Sequence, residues 1–187
     1  LFKQKTNMEN NFRKEIATCF GGAFLIMFMI GIYFVYIPWN INRLGISEAQ
    51  LGMSICAFGF ANLFANQLGA RIIVPKIGTT NTLIIGIIIF SISPITFGLS
   101  NSKTLFLLSC FPTGIGFGIV QTTTTIITRN AEEKTGLILQ TYLSAFLTLG
   151  FLCGALCSGI YRHLNLDSHY LFFTLIFIAL GSTFFIF

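Results

Sequence analysis

The sequence predicts an all-α membrane protein, a bundle of six transmembrane helices, and three observations predict it. Hydrophobic residues make up 54% of the 187 and charged residues only 9%, with a mean hydropathy of +0.81. An ordinary soluble domain is about 25% charged. Apolar runs long enough to cross a hydrocarbon core of about 30 Å recur along the whole chain. Short polar segments separate them and hold nearly all the charge. In lipid an open chain satisfies its backbone by forming helices, because each helix makes its own hydrogen bonds.

Residues 1–15 are a polar lead with Lys3, Lys5, Arg13 and Lys14. Residues 16–187 form the six-helix domain. The first span is expected over 17–37, ended by Pro38, which has no N–H to give. It is too long for the apolar part of a signal peptide. The second span, 51–68, carries the clearest start signal. Ser47 with Gln50 three residues on is a capping box, and Leu51 opens the apolar run behind it. Ala57, Ala61, Ala65 and Gly69 recur every four residues, a smooth stripe on which a neighbouring helix can lie closely. Asn62, Asn66 and Gln67 beside it are amides that a lipid-facing surface would not carry cheaply. The third span is 83–99, with Pro94 as a kink point. The fourth is 105–128, with Pro112, Gly114, Gly116 and Gly118. The fifth is 137–161, with Gly150 and Gly154 one turn apart, and the sixth is 170–187. The chain does not open with Met and stops inside an apolar run at Phe187, so it is expected to be part of a longer, twelve-span protein.

Lys and Arg set the orientation. With a cytoplasmic N-terminus, the inner segments hold Lys3, Lys5, Arg13, Lys14, Arg71, Lys76, Arg129 and Lys134, and the outer loops hold Arg43, Lys103 and Arg162. This bias expects a multi-pass protein of the inner (cytoplasmic) membrane with its N-terminus inside. The same scatter of charge argues against a nucleic-acid partner, which would need a cluster. The partners expected are lipid and a small-molecule solute.

Enzyme chemistry finds no footing. Both histidines, His163 and His169, follow span five, and the six acids lie at span ends or in loops, so no span holds an acid–base pair. The five cysteines lie within apolar runs and form no disulfide framework. Cys153 and Cys157 share a helix face, but no histidine or carboxylate is near them in sequence to complete a metal site. No catalytic residue, metal or cofactor is expected.

Four pieces of sequence resemble the N-terminal half of a major facilitator superfamily transporter. LGISEAQLG at Leu44–Gly52 is similar to the family's entry to its second helix. Lys76, Ile77 and Gly78 resemble the core of its signature loop. GIGFG at Gly114–Gly118 resembles its fourth-helix glycine motif, and GFLCGALCSG at Gly150–Gly159 its glycine-rich fifth helix. Their order and spacing cover nearly the whole chain. Within the superfamily, Gly31, Tyr33, Ile37 and Pro38, with the stretch Glu132–Ala155, echo a bacterial branch that includes rhizopine-associated membrane proteins and inner-membrane transporters.

The resemblance implies two three-helix inverted repeats, alternating access, and a second six-helix half in the same chain or in another subunit. It implies a central cavity lined by spans one, two, four and five, whose polar residues are Tyr33, Tyr36, Asn62, Asn66, Gln121, Thr125, Gln140, Ser144 and Thr148. Neutral hydroxyls and amides suit a small, polar, neutral solute. Each could instead bridge two helices with no solute contact. Arg71, Lys76 and Gly78 would form the conformational loop. Gly114, Gly116, Gly118, Gly150 and Gly154 would pack helices. The chain also departs from the pattern. Pro75 stands where the signature loop carries an acid, and Arg71 replaces a glycine before it. Cys110 falls where many proton-coupled members have arginine. The branch's Arg, Asp, Asn and His become Tyr36, Gln121, Thr125 and Ser144. These changes remove titratable groups and count against proton coupling through this half. The alternative is a half-transporter remnant acting as a structural or dimerising subunit.

Overall fold

The computed structural model describes the backbone of residues 2–99, 102–164, 166 and 168–186. The side chains of 1–13, 15, 98–101, 165, 167–169, 179, 180 and 182–187 lie outside that description, and with them Lys3, Lys5 and Arg13 of the topology count. The described elements are helical: α1 (Phe2–Leu44), α2 (Glu48–Leu68), α3 (Val74–Ile77), α4 (Thr79–Leu99), α5 (Lys103–Thr135), α6 (Leu139–His163) and α7 (Ser168–Ile186). The six spans are α1, α2, α4, α5, α6 and α7. Five of them, all but α7, have a described stretch long and apolar enough to cross a membrane.

Pro38 does not end the first span. The helix runs through it to Leu44, and its apolar stretch is Ile16–Leu44. Gly45 supplies the stop, in the left-handed region at φ 62°. There the Ile46 N–H reaches back to the Ile41 carbonyl at 3.1 Å, and Ile46 is buried beside the turn, which together make a Schellman closure. The polar lead is helical too and continues into α1.

The capping box of α2 forms as expected from sequence. The Gln50 N–H donates to Ser47 Oγ at 3.4 Å, and the Ser47 N–H donates to Gln50 Oε1 at 3.1 Å. The second span then runs past Leu68, through a π-helical turn at Gly69–Ile73 and α3, and stops at Gly78 (φ 82°). Pro94 and Pro112 lie within α4 and α5. Gly136 ends α5 in the left-handed region, its N–H bonded to the Glu132 carbonyl at 2.8 Å.

Helix α5 is the hub, packed on α2 and α4; α1 pairs with α6 and α4 with α7. The α1–α6 seam is backbone against backbone. Gly31 lies against the Phe151 carbonyl, Gly150 against that of Phe24, and Gly154 against that of Phe28. On the α2–α5 seam Gly114 faces Ala61 and Gly118 faces Ala65, where an added Cβ would come within 3.0 Å of either alanine. Gly116, on the opposite face of α5, lies against the Phe90 backbone of α4. The core between α1, α4, α5 and α7 is aromatic: Tyr33 and Phe97 have ring centroids 4.7 Å apart, Phe97 and Phe106 4.9 Å, and Tyr36 and Phe172 5.3 Å. The most open helices are α2 and α6, which leave Met53, Phe60, Tyr142 and Ile160 among their exposed side chains.

Candidate functional site

Close packing along α1–α6 and α2–α5 leaves a gap between α1, α5 and α6. It is a cavity of about 250 Å³. Its polar lining comes from Gln121, Thr124 and Thr125 on α5 and from Gln140 and Ser144 on α6. Its apolar walls are Ala23, Ile26 and Met27 of α1, Phe117 and Val120 of α5, and Leu143 and Leu147 of α6. No lining residue carries a charge.

The hydroxyls of this site turn back on their own helices. Thr125 Oγ1 donates to the Gln121 carbonyl at 2.8 Å, and Thr124 Oγ1 to the Val120 carbonyl at 2.9 Å. Ser144 Oγ donates to the Gln140 carbonyl at 3.0 Å. Such bonds are the usual fate of Ser and Thr in a helix, and they leave each oxygen able to accept. The side-chain amides of Gln121 and Gln140 make no hydrogen bond among the described residues, so they keep both donors and acceptors for a guest. The first turn of α6 is fixed from the last turn of α5: the Gln140 N–H donates to the Glu132 carboxylate at 2.6 Å. That anchor sits beside the cavity and was not singled out in the sequence. Eight residues separate the pair, and only the turn at Gly136 brings them together.

The other expected cavity residues lie elsewhere. Tyr33 and Tyr36 are buried in the aromatic core, with Tyr33 flanked by Phe90, Phe97 and Phe172. Asn66 holds α2 to α5, where Thr122 Oγ1 donates to its Oδ1 at 2.5 Å, and Asn62 supports it within α2, accepting from Asn66 Nδ2 at 3.2 Å. Thr148 lines a separate, shallow recess on the open face of α6 with Ser144 and Leu152. Of the nine residues, the structure thus gathers Gln121, Thr125, Gln140 and Ser144 in one place. The apolar walls escaped the sequence reading, because Met27 or Phe117 looks the same in an apolar run whether it faces lipid, core or cavity. Arg71 lies in the π-helical turn and Lys76 in α3, both exposed, and Gly78 closes that segment. Neither cation makes an ion pair among the described residues.

Apolar helices with charge at their ends, packed around an uncharged cavity, define a multi-pass helical membrane protein. Comparison with known families makes this particular. Residues 19–187 match the Major Facilitator Superfamily, and the chain belongs to it, a family of transporters and not of enzymes. Relatives include the quinolone resistance protein NorA of Staphylococcus aureus (strain N315), 26% identical over 142 residues, which are 75% of this chain and 36% of that protein. Another is the multidrug resistance protein MdtL of Shewanella sp. (strain ANA-3), 28% identical over 120 residues, 64% of this chain and 30% of the relative. The chain therefore spans about a third of the length of these relatives. The matches carry the family and do not single out the narrower bacterial branch.

Proposed function

We propose that this chain is the N-terminal half of a secondary transporter and that the α1–α5–α6 cavity is its share of the solute site. The observation carrying the reading is the convergence of Gln121, Thr125, Gln140 and Ser144 on one uncharged space. Its volume of about 250 Å³ is below the roughly 300–1,000 Å³ of a complete ligand pocket. A second six-helix half, in the same chain or another subunit, would supply the rest. Access alternates as the two halves rock about the site. The N-terminus and the loop after α5 face the cytoplasm, as the inner cations require.

The lining refines the solute expected from sequence. A small, wholly polar molecule would leave Met27, Phe117 and Leu143 unmatched. An amphipathic molecule of no net charge, a zwitterion included, uses both walls and amides, and the drug-resistance names of the relatives agree with that. With no titratable group in the lining, this half orients the solute and carries no proton. The remnant alternative gains no support from these comparisons. The test is transport of a quinolone, with glycerol as the polar control, by the intact protein in proteoliposomes. The quinolone should cross and glycerol should not, and Ser144→Leu, which fills the cavity, should abolish the movement. Undiminished quinolone transport by Ser144→Leu would overturn the site. Glycerol crossing in place of the quinolone would overturn the solute class.

A further inference from the structure

The second span keeps going after its last fully buried residue, and its packing thins. Ala61, Ala65 and Gly69 are buried, with Gly69 the last, and Asn66 clamps the same level to Thr122 at 2.5 Å. Beyond it Ala70, Arg71, Ile72, Pro75, Lys76 and Ile77 are exposed, and only Ile73 and Val74 are half-buried. The π-helical turn begins at that boundary. It spans Gly69–Ile73, and the Val74 N–H bonds to the Gly69 carbonyl, five residues back.

Pro75 gives this turn a physical cause. It has no N–H for the carbonyl four residues earlier, that of Arg71, and its ring would press on that carbonyl in a regular α-helix. A widened turn just before the proline moves the carbonyl aside. Such turns hold one extra residue, break the regular hydrogen-bond ladder and concentrate at functional sites. Gly69 is not demanded by packing: a Cβ there would meet Thr122 at an ordinary 3.8 Å. Its effect is to leave the turn without a side chain to brace it. The far end of the segment closes on Gly78, at φ 82°. One clamped level, one loosened turn and one exposed segment therefore follow each other along a single helix.

We propose that the π-helical turn is a hinge. Ala70–Ile77, carrying Arg71 and Lys76, swings against the inner end of α5 while Glu48–Gly69 stays fixed on it. The use of that motion, opening and closing the inner mouth of the pathway, rests on the transporter reading; the hinge itself is measurable without transport.

The experiment places spin labels at Lys76→Cys and Asn130→Cys in the intact protein, with the five native cysteines replaced, in lipid nanodiscs. A control pair, Met53→Cys with Leu108→Cys, spans α2 and α5 on the other side of the turn. The parent should show two distances for the inner pair and one for the control. Gly69→Ala with Pro75→Ala restores the missing N–H and braces the turn, and should lose one inner distance while the control stays unchanged. Quinolone transport should then slow with binding affinity retained. A single inner distance in the parent, or two surviving in the double variant, would overturn the hinge. If the double variant disturbs the control pair, Gly69→Ala alone decides, since the contacts around Gly69 accommodate a methyl group. Loss of one inner distance with transport at the parent rate would sever the hinge from the inner mouth. Two inner distances in a protein that moves no solute would keep the hinge and refute the transporter reading.

Discussion

Replacing Gly154 by alanine tests the α1–α6 seam at its tightest point. The added Cβ would point at the Phe28 carbonyl, 2.8 Å from its carbon and 3.0 Å from its Cα. These are backbone atoms of a packed helix, so no side-chain rotation relieves the contact, and α1 and α6 must move apart. Overpacking of this kind costs about 1–3 kcal/mol. For a protein of this size each kcal/mol lowers the melting temperature by about 2–4 °C, so the fall should be about 2–12 °C. The control lies on the same helix. A Cβ at Gly159 meets nothing within 4 Å, and Gly→Ala in a helix gains up to about 1 kcal/mol in propensity. Gly159→Ala should leave the melting temperature unchanged or raise it. The assay is thermal unfolding of the two purified variants beside the parent in one detergent. Equal melting temperatures for Gly154→Ala and Gly159→Ala would refute the seam, because helix propensity alone would then govern both sites.

Three further outcomes follow from the same geometry. Asn66→Ala with Thr122→Val, measured as a double-mutant cycle, should show a coupling of about 0.6 kcal/mol and at most about 1.7, the range for hydrogen bonds between membrane helices; zero coupling would remove the bridge. Tyr33→Phe should leave solute affinity unchanged, since the ring sits among Phe90, Phe97 and Phe172 and not on the cavity; a large loss of affinity would place the tyrosine in the site. A cysteine at Lys134, in a cysteine-free background, should resist an impermeant thiol reagent added outside intact cells; labelling there would invert the topology.

Much of the fold was legible because helix signals are local. Ser47 and Gln50 form their capping box, and the stripe Ala61, Ala65, Gly69 faces Gly114, Gly118 and Thr122 of α5 in order. The end of α1 was misread, since Pro38 is a strong stop signal in water-soluble helices, whereas Gly45, which does the stopping, sits between Leu44 and Ile46 in a stretch that reads as the approach to the second helix. The site was only half legible. Polarity within an apolar run shows that a residue avoids lipid, but not whether it meets a solute or another helix. Asn66 and Gln121 look alike in sequence; what separates them is that Thr122 stands within reach of the first, while Gln121 opens onto the cavity. The π-helical turn was hidden for another reason: Pro75 stood out in the sequence, but its effect on the turn before it depends on the packing that holds Gly69.

The solute site depends most on Gln121, and variants of it in proteoliposomes test that role most directly. The quinolone affinity and the pH profile of transport would be measured for the parent, Gln121→Ala and Gln121→Glu. Alanine removes both hydrogen-bonding atoms and should weaken affinity while the pH profile stays that of the parent. Glutamate keeps the size but adds a carboxyl that can ionise. Its transport should therefore approach the parent's at low pH, where the carboxyl is neutral, and fall as pH rises and the group ionises. Equal affinities and one shared pH profile in all three proteins would remove Gln121 from the solute site and leave it as a packing residue.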